Sequence, residues 1–130
     1  MRMIHSCIRV FDLERSAQFY QQAFNLKEFA RYPFESFTLL YLRDQQSEFE
    51  LELTANHERE TPYDLGNGYG HLAIACDNLE EVRARVDAAG GTPTDIKSLD
   101  FDGKLLGRFF FATDPDGYKI EVLAREGRFA

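Results

Sequence analysis

The stretch His5-Ser6-Cys7-Ile8-Arg9-Val10-Phe11-Asp12-Leu13-Glu14 returns as His71-Leu72-Ala73-Ile74-Ala75-Cys76-Asp77-Asn78-Leu79-Glu80, at an offset of 66 residues. Each copy opens on a His, continues as an apolar strand and reaches an Asp or Asn placed to cap a helix. A second pair of segments keeps nearly the same spacing. Phe49-Glu50-Leu51-Glu52-Leu53 lies over Tyr118-Lys119-Ile120-Glu121-Val122 at an offset of 69. The chain therefore repeats itself, and each half carries one His at the head of a strand and one Glu inside a later strand. Repeats occupy equivalent places in a fold, so two imidazoles and two carboxylates can meet around one metal ion.

Outward from these segments, the two halves follow the same order of elements. In the first, residues 4–10 form a strand, and Asp12 caps a helix whose stripe is Leu13, Ala17, Tyr20 and Phe24. Asn25 stops the helix. Strands follow around Phe29–Tyr32, Phe37–Leu42 and Phe49–Thr54, with a polar turn over Arg43–Ser47. In the second, His71–Cys76 is a strand, and Asn78 with Glu81 makes a capping box. The helix carries Leu79, Val82, Val86 and Ala89 and ends at Gly90-Gly91. A short strand is expected near Pro93–Lys97, then Phe109–Ala112 and Tyr118–Leu123 joined by the turn Asp114-Pro115-Asp116-Gly117. The pattern is β-α-β-β-β, twice. It predicts an α+β fold in one domain, 1–130, with modules 1–56 and 70–125 joined by the polar, glycine-bearing linker 57–69. The tail Ala124–Ala130 is expected to fray or to dock on a partner.

A module of roughly 60 residues buries too little surface to be comfortable alone, so the two halves are expected to pack on each other or on a partner chain. Twelve Phe and six Tyr supply ample core. The net charge of −7, with acids spread along the chain, argues against a nucleic-acid binder, which needs a basic stripe. No apolar run approaches the length of a bilayer span. Residues 1–5 lead at once into the first strand, so no signal peptide is expected. Two cysteines inside apolar stretches do not make a disulfide framework, and a cytoplasmic location is expected.

Strand parity sharpens the candidate ligands. His5, Cys7 and Arg9 share one face, opposite Ile4, Ile8 and Val10. Glu52 and Thr54 lie opposite Leu51 and Leu53, and Lys119 and Glu121 lie opposite Ile120 and Val122. His71 has only Ala73 and Ala75 as same-face neighbours. Glu48 and Glu50 share the parity of Glu52, so parity leaves all three open and the repeat register selects Glu52. A single His at a strand head is most often structural or solvated, and a single Glu between two aliphatics is an ordinary solvent-facing residue. What raises these four above that background is their register. His57 reads as a solvated linker residue, Cys7 as a small strand side chain, and Phe109–Phe111 as core, part of which could line an apolar wall. Arg9 reads as a surface charge that would suit a substrate carboxylate. Nitrogen and oxygen donors without thiolate suit Ni²⁺, Co²⁺, Mn²⁺, Fe²⁺ or Zn²⁺. Four such ligands leave two positions of an octahedral ion for water or a bidentate oxygen substrate.

With these residues in place, the chain resembles the glyoxalase I (lactoylglutathione lyase) family of the vicinal oxygen chelate superfamily, over nearly all of residues 1–125. The resemblance is carried by His5 with Ile8-Arg9-Val10, Asp12-Leu13 with Arg15-Ser16, and Phe19-Tyr20. It continues in Leu51-Glu52-Leu53-Thr54 with Asn56, in Tyr63, Leu65-Gly66 and Tyr69-Gly70-His71, and in Asp114-Pro115-Asp116-Gly117-Tyr118 with Ile120-Glu121. It implies curved sheets packed as a homodimer, with each metal site shared between subunits. His5, Glu52, His71 and Glu121 would be the metal ligands. The family likeness is to the short bacterial form, which implies Ni²⁺ or Co²⁺, with Zn²⁺ and Mn²⁺ as further choices. The implied reaction turns the hemithioacetal of methylglyoxal and glutathione, the co-substrate, into S-lactoylglutathione by proton transfer through an enediolate. Glu121 would be the catalytic base, with Glu52 opposite. Arg9 and Asn56 would hold the glutamyl end of glutathione and Lys104 its glycine carboxylate. The chain departs from the family at Ala55, at His57 and in the bulk of Phe109-Phe110-Phe111. Two other readings stay open. One is a different metalloenzyme of the superfamily, an epimerase or a fosfomycin-type thiol transferase. The other is a non-catalytic binding or sequestration module.

Overall fold

Alternation along the strands sorts the first half of the chain into an apolar and a polar face. The computed structural model describes residues 1–130 and divides into two units, Met1–Asp64 and Leu65–Ala130. The first contains β1 (His5–Arg9), α1 (Leu13–Phe24), β2 (Lys27–Pro33), β3 (Phe37–Arg43) and β4 (Glu50–Asn56). Its four strands form one sheet in the order β1-β4-β3-β2, with β1 parallel to β4 and the other pairs antiparallel. Ile8, Val10, Leu40, Leu42, Leu51, Leu53 and Ala55 are buried together with Phe19, Tyr20 and Ala23 of α1. Each large apolar side chain so buried contributes about 1.5–3 kcal/mol. The opposite face carries His5, Cys7, Arg9, Tyr41, Glu52, Thr54 and Asn56, the alternate residues of three adjacent strands.

The helix begins where expected: the Asp12 carboxylate accepts from the Arg15 amide at 3.1 Å. It ends at Asn25, whose φ of 57° is the left-handed turn that stops a helix. The expected stripe is rotated, however. Ser16, Phe19, Tyr20 and Ala23 are the buried residues, while Leu13, Ala17 and Phe24 are half-buried. Small Ser16 and Ala23 let the helix approach its sheet closely, which a count of large apolar residues misses. His57 is also more engaged than its polar surroundings suggest. Its ring nitrogens meet the Thr38 hydroxyl at 2.8 Å and the Glu35 carbonyl at 2.9 Å, tying the end of β4 to the β2–β3 turn.

The second unit repeats the plan with β5 (Leu72–Cys76), α2 (Leu79–Ala88), β6 (Lys97–Phe101), β7 (Lys104–Thr113) and β8 (Lys119–Ala124). Strand order is β5-β8-β7-β6, again with one parallel pair, β5 on β8. Phe110, Ala112, Ile120 and Val122 are buried along with Leu79 and Val86 of α2. The strand expected near Pro93–Lys97 lies later, at Lys97–Phe101, and pairs with a β7 that is longer than Phe109–Ala112. The cause is a tight hairpin, Phe101-Asp102-Gly103-Lys104, in which Asp102 and Gly103 both have positive φ (51° and 74°). That Asp-Gly pair is a hairpin signal. The tail folds back on its own unit instead of fraying. Gly127–Phe129 forms a 3-10 turn, and the Phe129 ring packs where a side chain at Gly107 would stand.

Asp114 anchors the β7–β8 turn. Its carboxylate is buried and accepts from the Asp116 and Tyr118 amides, both at 2.9 Å. Asp114→Ala should therefore lower unfolding free energy by about 1–3 kcal/mol, and Asp114→Asn, which keeps one acceptor, by less. Chemical denaturation checks this; a loss below about 0.5 kcal/mol for the alanine variant would contradict the anchoring role.

Candidate metal centre

Parallel pairing puts each histidine beside its glutamate. In the first unit, Cys7 stands opposite Glu52, so His5, two residues earlier on the same face, reaches it diagonally. His5 Nε2 lies 3.3 Å from Glu52 Oε2. In the second unit, Ala73 stands opposite Glu121, and His71, just ahead of β5, reaches back in the same way. His71 Nε2 lies 3.0 Å from Glu121 Oε2. Two donors each about 2.1 Å from one ion and at right angles stand about 3 Å apart. Both pairs thus have the spacing of neighbouring ligands, and their donors are imidazole nitrogen and carboxylate oxygen, which fit a divalent cation.

The acids just ahead of Glu52 are occupied elsewhere. Glu50 faces Arg43 at 3.5 Å, and Glu48 pairs with Arg2. The three glutamates that parity leaves equivalent are separated by their partners.

The two pairs differ in their surroundings. The Glu52 side chain is 11% exposed and that of Glu121 is 20% exposed. Burial pushes the Glu52 carboxyl up, but the Tyr41 hydroxyl, the Cys7 thiol, the Thr54 hydroxyl and the charge of His5 outweigh it and hold the group below the ordinary carboxylate value. The Thr54 hydroxyl donates to Glu52 Oε1 at 3.0 Å and stands 3.4 Å from the Cys7 sulfur. Burial and the Glu52 carboxylate push the Tyr41 phenol up to about 12, and burial likewise raises the Cys7 thiol. Both stay protonated near neutral pH and serve Glu52 as donors. Beside Glu121 the corresponding strand neighbours are Phe111 and Ala73. The aromatic rings are placed alike: Tyr41 stands nearly perpendicular to His5 with centroids 5.9 Å apart, and Phe111 to His71 at 5.2 Å.

Of the remaining candidates, Arg9 ends β1 opposite Thr54, and Asn56 ends β4 two residues beyond Thr54. Both therefore lie at one end of the face that carries His5 and Glu52. The Asn56 carbonyl oxygen accepts from the Tyr63 hydroxyl at 2.8 Å, which leaves its amide NH₂ as the outward donor. Lys104 sits at the β6–β7 hairpin, seven residues along β7 from Phe111, about 23 Å by strand rise. Within its unit it does not approach His71 and Glu121. Ala55 and Phe110 point into the core, while Phe111 belongs to the ligand face. Tyr41 is the residue that sequence reasoning overlooked. Pairing the strands Phe37–Leu42 and Phe49–Thr54 across their polar turn is the signal that sets it opposite Glu52.

Residues 2–122 match the family profile of the Glyoxalase/Bleomycin resistance protein/Dioxygenase superfamily. A lactoylglutathione lyase of Neisseria meningitidis is 38% identical over 130 residues, covering 97% of this chain and 92% of its own. One from Salmonella typhimurium is 35% identical over 127 residues, covering 95% and 92%. Among solved structures, the trypanothione-dependent glyoxalase I of Leishmania major has a TM-score of 0.75 at 34% identity, covering 95% of this chain and 86% of that one. A variant of maize glyoxalase I reaches 0.82 at 32% identity, covering 97% of this chain, which spans 45% of the maize chain. The chain belongs to the Glyoxalase/Bleomycin resistance protein/Dioxygenase superfamily, among its lactoylglutathione lyases.

Proposed function

We propose that this protein is a metal-dependent lactoylglutathione lyase that converts the hemithioacetal of methylglyoxal and glutathione into S-lactoylglutathione. The observation that carries it is the pair of His–Glu couples at equivalent places in the repeat, each at ligand spacing. Each unit supplies two such donors. A four-ligand site therefore has to bring two couples together. In our reading a homodimer does so: His5 and Glu52 of one chain meet the partner subunit's His71 and the partner subunit's Glu121. The donor set suits Ni²⁺, Co²⁺, Mn²⁺, Fe²⁺ or Zn²⁺, and the likeness to the short bacterial lactoylglutathione lyases favours Ni²⁺ or Co²⁺ among them.

When bound, the cation supplies Lewis acidity that makes the substrate C–H beside the carbonyl more acidic. Glu121 takes that proton from the sulfur-bearing carbon and returns it to the adjoining carbon, while the hydroxyl proton passes from the oxygen on the first carbon to the oxygen on the second, so that a hydroxyl thioether with a neighbouring ketone becomes a thioester with a neighbouring alcohol. Glu52, with its hydrogen bonds to Tyr41 and Thr54, stays in place as a ligand. Arg9 and the Asn56 amide bind the glutamyl end. A sequestration module has no use for two complete couples in register.

Protein loaded with Ni²⁺ and given methylglyoxal and glutathione should form thioester, followed by its ultraviolet absorbance, and should lose this activity on chelation and regain it with metal. Thioester no faster than the protein-free control, with metal demonstrably bound, contradicts the assignment. Glu121→Gln should cut turnover by about 10²–10⁴-fold while keeping most of the metal. Equal losses of turnover and metal would make Glu121 a ligand only.

A further inference from the structure

Directly across the ladder from each glutamate stands an aromatic ring, Tyr41 beside Glu52 and Phe111 beside Glu121. Both rings stand nearly perpendicular to the histidine ring of their pair, at 77° and 78°. The two positions therefore differ by one hydroxyl. That hydroxyl bonds the Glu52 carboxylate, which also accepts from Thr54 at 3.0 Å and lies against Cys7. In the second unit the residues at these three places are Phe111, Leu123 and Ala73, none of which is a donor. The repeat has kept the ring and the His–Glu couple while equipping only one glutamate with a donor set.

We propose that Tyr41 is a positioning residue that fixes Glu52 as a ligand, and that the missing hydroxyl at Phe111 leaves Glu121 free to move a proton. The inference deepens the lyase reading and rests on it for the role of Glu121. A carboxylate tied by two hydroxyls and a thiol pays for any swing away from the metal with those bonds. One whose strand neighbours are Ala73 and Phe111 reorients with no such loss.

The experiment uses the full chain loaded with Co²⁺, whose visible bands report its ligands. Tyr41→Phe should weaken Co²⁺ binding about tenfold or more and shift those bands, with thermal melting kept as the check on folding. Phe111→Tyr should keep Co²⁺ affinity within about twofold but lower kcat about tenfold or more at unchanged KM. Affinity and bands of Tyr41→Phe that both match the wild type overturn the proposal, as does undiminished kcat in Phe111→Tyr. Affinity and bands judge Tyr41 regardless of turnover. Wild-type protein that binds Co²⁺ yet makes no thioester thus sinks the lyase reading alone, and wild-type protein that takes up no Co²⁺ sinks both.

Discussion

The register of two parallel strand pairs underlies everything else in this molecule. Pairing β1 with β4 so that Cys7 meets Glu52, and β5 with β8 so that Ala73 meets Glu121, is what carries each histidine to its carboxylate. A slip of one residue would turn every side chain of a strand to the other face, burying the glutamate and exposing Leu51 and Leu53 or Ile120 and Val122. The apolar halves of these strands, packed with Phe19 and Tyr20 in one unit and with Leu79 and Val86 in the other, hold that register. Parallel strands need a crossover. The route through the helix and two further strands supplies it, so the site and the fold are set by the same contacts.

The repeat gives two similar His–Glu couples, and the residues around them make the two unequal. Glu52 sits among the hydroxyls of Tyr41 and Thr54 and the thiol of Cys7, while Glu121 has Ala73 and Phe111 beside it. Chemistry that asks one carboxylate to stay and another to move is served by that inequality. An exact repeat would give two equally held glutamates.

Much of this was legible in the sequence because it depends on periodicity. The doubled order of elements, the caps at Asp12 and Asn78 and the Asp114 turn follow from local rules and stand in the structure. The four candidate ligands needed the repeat alignment, since parity alone could not separate Glu52 from Glu48 and Glu50. What escaped depends on packing and pairing. The buried stripe of α1 is centred on Ser16 and Ala23, which only close approach to a sheet selects. The β6–β7 hairpin turns on Asp102-Gly103, a signal passed over in favour of Pro93–Lys97. Tyr41 became visible only once its strand was paired, because its importance lies in what it faces.

The most direct test of a site built from two subunits is complementation between two inactive chains. His5→Ala and His71→Ala homodimers should each be inactive, because each damages both shared sites. Unfolded together and refolded at equal amounts, half of the dimers are mixed, and each mixed dimer regains one intact site. The account predicts recovery of about a quarter of wild-type activity from this mixture. Activity that stays at the level of the separate variants, with mixed dimers demonstrably formed, would contradict it and place both His–Glu couples of a site in one chain.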